Sequence, residues 1–223
     1  IVQYGLLGWA MSRYSGAWVG MKCIKDTADA SGSVRIDDAA LKIETPDWNG
    51  APEDGLNIRL PDTPHAQEFR LVNYKLDAAR AFARANRIDK VAFGARQGAR
   101  IGIITSGKSW LDLRQALADL GIDEARAKQL GLAVYKVGMV WPLEPIGLRE
   151  FALGLEKVIV IEEKRGLIEG QLKEILYGEA AAPRVIGKRD EQGAKLFRTE
   201  LALDASMIAQ VVGSRLARVD ASL

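Results

Sequence analysis

Between residues 100 and 187, short apolar runs alternate with stretches of helical period, and this alternation constrains the chain more than any other feature. Strand-like runs lie at 100–105, 132–137, 157–161 and 184–187. Helices are predicted over 109–120, 123–130, 145–155 and 167–177, the third opening on Pro145, a residue suited to a first helical turn. The strand runs are β-branched and aliphatic without polar alternation, so both of their faces must be covered. The expected fold is α/β, a doubly wound, mainly parallel sheet with helices on each side. Asp204 is placed to N-cap a terminal helix carrying Met207, Val211, Val212 and Leu216.

The first hundred residues read differently. Leu6, Leu7, Ala10, Met11 and Tyr14 fall at helical spacing, Gly16 ends that pattern, and 17–24 reads as a strand. Short strand-like pieces follow at 34–36 and 41–43, then the loop 47–52. A long amphipathic helix is predicted over 66–86, with Phe69, Val72, Leu76, Ala79, Phe82 and Ala83 on one face. A strand at 91–93 precedes a glycine-bearing basic hinge at 94–98, where we expect a domain boundary. Four sections follow: 1–64 as a truncated α/β section, 65–98 as connecting helix and hinge, 99–188 as the doubly wound domain, and 189–223 as an extension with a helix.

Composition narrows the function classes. Lys plus Arg (31) against Asp plus Glu (29) leaves a net charge of +2, and the charges are interspersed, which argues against a nucleic-acid or anionic-membrane partner. Cys23 is the sole cysteine, so neither an intrachain disulfide nor a thiolate cluster site can be built from this chain. The sole histidine, His65, lies in a Pro-rich stretch read as a solvated loop. The first residues read as the middle of a helix and not as a signal peptide, and no apolar run approaches the roughly 20 residues of a membrane span, so a cytoplasmic location is expected.

Three polar sets are candidate sites. Gly102 to Ser109 matches the phosphate-loop pattern G-x-x-x-x-G-K-S, with Thr105, Ser106, Gly107, Lys108 and Ser109 at its end. Ile103 and Ile104 are strand formers, however, which favours a strand-to-helix turn whose serines cap the helix. Glu162, Glu163 and Lys164 follow a parallel strand, at the end of such a sheet where ligands gather. Those carboxylates could bind or act as acids, or pair with Lys164 or Arg165 or across a subunit contact. Arg13, Tyr14 and Ser15 at a helix end, with Lys25, Asp26 and Thr27 beyond the next run, form the third set.

Several runs carry a resemblance: 11–20 (MSRYSGAWVG), 55–59 (GLNIR), 83–87 (ARANR), 105–109 (TSGKS), 135–145 (YKVGMVWPLEP) and 160–165 (VIEEKR). In that order they resemble the bacterial fused indolepyruvate ferredoxin oxidoreductases, members of the thiamine-diphosphate-dependent 2-oxoacid:ferredoxin oxidoreductases. The likeness extends from about Tyr4 to Val212. It implies that the opening section is the later part of a pyrimidine-binding thiamine domain, and that 99–188 is a transketolase C-terminal-type domain used for packing and assembly. It further implies a parent enzyme that decarboxylates an aryl 2-oxoacid of the indolepyruvate type, passes two electrons to ferredoxin, and transfers the acyl group to coenzyme A.

The parent's cofactors would be thiamine diphosphate, Mg2+ and 4Fe–4S clusters. The G-D-G…N diphosphate motif, the cluster cysteines and the first half of the pyrimidine domain are not in this sequence. The chain is therefore expected to be an internal, non-catalytic fragment that partners the rest of its parent and forms a homodimer. Lys25, Asp26 and Thr27 are the positions the resemblance brings nearest to cofactor contact. Two further readings stand beside it: a P-loop nucleotide hydrolase, and a purely structural dimerisation module.

Overall fold

The computed structural model describes residues 1–34, 41–94 and 97–218. The chain divides into two compact units, Ile1–Ile88 and Asp89–Leu223.

The first unit is built on helix pairing. Helix α1 (Val2–Ser15) ends where Gly16 takes up a left-handed conformation, φ 68°, and returns its N–H to the carbonyl of Ser12. A Cβ there would stand 1.9 Å from the carbonyl oxygen of Leu56, so no other residue fits. Leu7, Met11 and Ser15 form the buried face of α1, which packs on α4 (Leu76–Ala85). There Tyr14 and Phe82 have ring centroids 5.7 Å apart. The single-turn helix α2 (Lys25–Ala28) follows an extended stretch.

The helix expected over 66–86 is present but not uniform. Its first part, α3 (Pro64–Arg70), is capped by the Thr63 side chain and starts on Pro64, which places His65 in an exposed first turn and not in a loop. A five-residue π-helical segment, Leu71–Lys75, then joins α3 to α4.

Two predicted strands of this unit do not form. Residues 17–24 form no strand and leave Trp18 99% exposed, and 41–43 belong to no ladder among the described residues. Both runs have strand-forming composition, but a strand exists only where a neighbour pairs its backbone. Val34 is likewise outside any strand, and Arg35 and Ile36 lie outside the described residues.

The second unit has the expected doubly wound sheet but takes in more than the 99–188 expected of it, running from Asp89 to Leu223. Its sheet has the order β1-β3-β2-β4-β5, from β1 (Lys90–Gly94), β2 (Ile101–Ser106), β3 (Leu132–Val137), β4 (Lys157–Ile161) and β5 (Arg184–Ile186). Only β1 is antiparallel, along the edge of β3. This strand belongs to the second unit, and Gly94 at its end is less a hinge than a packing position. Its φ is 81°, and a Cβ would lie 2.1 Å from the carbonyl oxygen of Leu132. Ala95 and Arg96 of the predicted hinge lie outside the described residues.

Pleating sends alternate residues to opposite layers. Ile101, Ile103, Val134, Ile159 and Ile161 meet α5 (Gly107–Asp119) and α9 (Ala205–Leu216) through Leu113, Leu117, Ile208 and Val212. Ile104, Tyr135, Val158 and Val160 meet α7 (Pro145–Ala152) and α8 (Ile168–Ile175) through Leu148, Ala152 and Leu172. Each buried Leu or Ile contributes roughly 1.5–3 kcal/mol, so the two layers fix the register of all four parallel strands. Helix α6 (Glu124–Gln129), capped by Asp123, connects α5 to β3. The Asp204 cap of α9 is as expected, its side chain accepting from the N–H of Met207.

Candidate functional site

Parallel strands β2, β3 and β4 end together, and two of the three polar sets read from the sequence gather at that edge. Glu162 follows β4 directly and is 7% exposed. One oxygen accepts from the backbone N–H groups of Leu167 (2.9 Å) and Ile168 (2.8 Å), the other from Glu169 (2.9 Å). A turn through Lys164, with φ 57°, folds the backbone back so that a residue six positions ahead of Ile168, the first of α8, supplies its cap. The carboxylate thus satisfies N–H groups that a helix start leaves open, and its charge suits the positive end of the helix dipole. For Glu162 this backbone role stands in place of the alternative ion pair with Lys164 or Arg165, both basic side chains being exposed.

Glu169, also 7% exposed, extends the arrangement. It pairs with Lys173 at 2.5 Å and accepts from the N–H of Lys188 at 2.8 Å. The Lys188 ammonium donates to the carbonyls of Glu162 (2.5 Å) and Arg198 (3.2 Å). Burial pulls the Lys188 pKa below the ordinary lysine value, opposed by Glu162, Glu169 and Glu163 around it. The result ties the segment after β5 to the end of β4.

The Thr105 to Ser109 turn lies beside this network. The phosphate-loop match fails in space: Gly102 is within β2, paired with Ala133 and Val158, so four more strand residues separate it from any loop. A true phosphate loop needs that glycine at the strand end, where successive N–H groups can curl round an anion. Lys108 is engaged as well, 2.7 Å from Asp112, 3.1 Å from the carbonyl of Leu203 and 3.8 Å from Glu163. Ser106 is the N-cap residue of α5, yet its side chain makes no capping bond, contrary to the capping role expected of the serines. Thr105 and Ser109 are buried, and Thr105 Oγ1 and Glu163 Oε1 have no hydrogen-bond partner among the described residues.

Two acids that the sequence reading passed over belong to the same edge. Glu144 caps α7, accepting from Ile146 (3.1 Å) and Gly147 (2.7 Å); its position just before Pro145 was the available signal. Asp89 accepts from Gly138 (2.6 Å) and Met139 (3.0 Å) beyond β3 through Oδ1, while Oδ2 is buried without a hydrogen-bond partner among the described residues. Burial raises its pKa to about 6, with Glu144 adding to the rise and the two backbone bonds opposing it. No local pattern marks Asp89, because its partners lie some fifty residues away.

The third set lies in the first unit. Ser15 is buried, its hydroxyl donating to Met11 at 2.8 Å, and Tyr14 donates to the carbonyl of Pro46 at 3.0 Å. Arg13 is exposed. Lys25 and Asp26 are exposed on α2, and the Thr27 hydroxyl donates back to Ile24 at 2.9 Å. These groups shape the end of α1 and the turn of α2. Among the described residues no group of three or more His, Cys, Asp or Glu could hold a metal ion, and no helix is long and apolar enough to cross a membrane.

A family model described as the indolepyruvate oxidoreductase domain matches residues 90–222. The indolepyruvate oxidoreductase subunit IorA of Thermococcus kodakarensis is 31% identical over 133 residues, covering 58% of this chain and 19% of that protein. The corresponding subunit of Pyrococcus abyssi is 34% identical over 93 residues, 41% of this chain and 13% of that protein. These matches take in a fifth or less of the relatives' length. Among solved structures, 2-oxoglutarate:ferredoxin oxidoreductase from Magnetococcus marinus with 2-oxoglutarate, coenzyme A and succinyl-CoA bound has a TM-score of 0.43 and 19% identity. It covers 75% of this chain and 26% of that one. A split-gene transketolase in an inactive tetramer has a TM-score of 0.38 and 18% identity, covering 58% of this chain and 41% of that one.

Proposed function

Because the chain belongs to the indolepyruvate oxidoreductase domain family, we propose that it is the packing and assembly segment of a 2-oxoacid oxidoreductase and carries no complete active site. The whole enzyme would convert an aryl 2-oxoacid of the indolepyruvate type, coenzyme A and two oxidised ferredoxins to acyl-CoA, CO2, two reduced ferredoxins and a proton. Thiamine diphosphate supplies the carbanion chemistry when bound, and other segments of the parent would hold it with its Mg2+.

The observation that carries this reading is the use made of the sheet's carboxyl edge. In a ligand site the acids there point at an open cleft, whereas Glu162, Glu169 and Glu144 here are buried on backbone N–H groups. The residues present do not fit the parent's other groups: one cysteine cannot ligate a 4Fe–4S cluster. Lys25, Asp26 and Thr27 are the residues we propose to lie nearest the cofactor in the assembled enzyme, Lys25 and Asp26 being exposed. We further propose that the segment works in the cytoplasm and within a homodimer.

The test is deletion and add-back. Removing the region that corresponds to 90–222 from the parent polypeptide is expected to abolish aryl-2-oxoacid-dependent ferredoxin reduction. The separate chain, inactive alone, should restore it. Activity that survives the deletion overturns the reading, as does turnover by the separate chain.

A further inference from the structure

The first unit holds an open surface pocket of about 420 Å3, its lining part aromatic, Phe69 and Tyr74, and part charged, Asp54, Arg59, Asp62 and Arg70. Its volume lies within the range of small-molecule sites. We infer that this cavity binds an aromatic amino acid as its zwitterion, and the two walls argue for this separately.

The charged wall is balanced. Asp62 and Arg70 are its inner pair, with side chains 7% and 11% exposed and Nε 3.8 Å from Oδ2. Arg70 also pairs with Asp54 at 3.0 Å and donates to the carbonyl of Gly55, which anchors it. Asp54 and Arg59 form the outer pair, 43% and 44% exposed and in contact with each other; Arg59 also reaches Asp62 at 2.9 Å. A ligand bearing only a carboxylate would draw Arg59 away and leave Asp54 with less compensation. A ligand bearing only an ammonium would do the reverse. A zwitterion can exchange the outer pair for two new contacts, ammonium to Asp54 and carboxylate to Arg59, so each charge keeps an opposite partner.

The aromatic wall depends on the π-helical segment. In an α-helix residues five apart point about 140° away from each other. The i→i+5 closure of Leu71–Lys75 realigns that spacing. Phe69 and Tyr74 are five apart, and their rings meet edge to face with centroids 6.0 Å apart. Phe69 nonetheless remains 57% exposed, an aromatic surface with room for a further ring. A π-turn inside a long helix is a recurrent mark of functional sites.

The cavity lies outside the region matched by the family model, so the binding inference does not depend on the proposed function. Its meaning does rest on that reading: an aromatic amino acid is the amination counterpart of an aryl 2-oxoacid, and the cavity would sense the supply from which an amino-group transfer makes the substrate.

Calorimetric titration of the full chain tests the inference, with L-phenylalanine and L-tryptophan as probes beside 3-phenylpropanoate, 2-phenylethylamine and indole-3-pyruvate. Saturable binding of the amino acids is expected, weakened at least about tenfold for each single-charge analogue and for indole-3-pyruvate. Phe69→Ala and Asp54→Asn should each weaken it by a similar factor, and both positions are exposed enough to change without unfolding the chain, which a thermal melt checks. No saturable amino-acid binding would overturn the inference. Equal binding of 3-phenylpropanoate or indole-3-pyruvate would overturn the zwitterion assignment and leave the proposed function standing.

Discussion

The carboxylate of Glu162 and the backbone N–H of Ile168 are joined by a 2.8 Å hydrogen bond that ties the end of strand β4 to the start of helix α8. With the bonds to Leu167 and Glu169, one side chain serves three N–H groups in a buried place. Glu162→Ala leaves those donors without an acceptor and is expected to cost about 2–4 kcal/mol. Glu162→Gln keeps one acceptor oxygen and should cost about half as much. Urea denaturation measures both, and a loss below about 0.5 kcal/mol for the alanine variant would contradict the capping role.

Lys108 is held by Asp112 and the carbonyl of Leu203, and not by anything resembling a phosphate cradle. Lys108→Ala is expected to cost about 0.5–1.5 kcal/mol, as for a half-buried ion pair with a second acceptor. Neither the parent chain nor this variant should give heat on titration with ATP and Mg2+. Tight nucleotide binding that disappears in the variant would restore the phosphate-loop assignment.

The central strands of the second unit are legible because a buried parallel strand writes itself as a continuous apolar run, and Ile101–Ser106, Leu132–Val137 and Lys157–Ile161 are such runs. Residues 17–24 carry the same composition and form none, since pairing depends on a neighbour that no local pattern reports. The π-helical segment was equally silent, because its apolar spacing across Leu71–Lys75 still passes for an α-helix. Glu162 is legible as a residue while its role is left open between a ligand group and an ion pair, and only the turn at Lys164 aims it at the backbone. Asp89 is the reverse, a side chain whose partners at Gly138 and Met139 exist only once β1 is laid against β3.

Asp89 gives a pH signature. Its folded pKa of about 6 stands above the ordinary 3.8, so the neutral form is the one the fold prefers. The stability it contributes is complete below pH 3.8 and is lost as pH rises through about 6. At pH 7 the buried charge is a burden. Asp89→Asn keeps an oxygen for Gly138 and Met139 and removes the charge, and is expected to raise stability at pH 7 by about 1–2 kcal/mol. It should also flatten the stability profile between pH 4 and about 6.5. Thermal melts across that window decide the matter; a variant less stable at pH 7 with an unchanged slope would exclude the assignment.

Glu191 has the opposite sign. Its two oxygens meet Lys157 at 2.5 Å and Arg215 at 3.3 Å, so a loop carboxylate joins the start of β4 to the end of α9. Burial alone would raise its pKa, but the Lys157 hydrogen bond and the two nearby cations prevail and lower it from 4.5 to about 2. The stability it supplies is therefore present above pH 4.5 and lost as pH falls toward 2, the range in which Asp89 has already been neutralised. Glu191→Gln should remove that acid-side loss. Because Lys157 and Arg215 are mostly shielded from water, Glu191→Ala leaves two cations without their shared anion, and a double-mutant cycle with Lys157→Met should return a coupling of about 1–3 kcal/mol. A coupling near zero would mean that the bridge is a surface pair screened by water, and that helix α9 is held to the sheet by Ile208, Val212 and Leu216 alone.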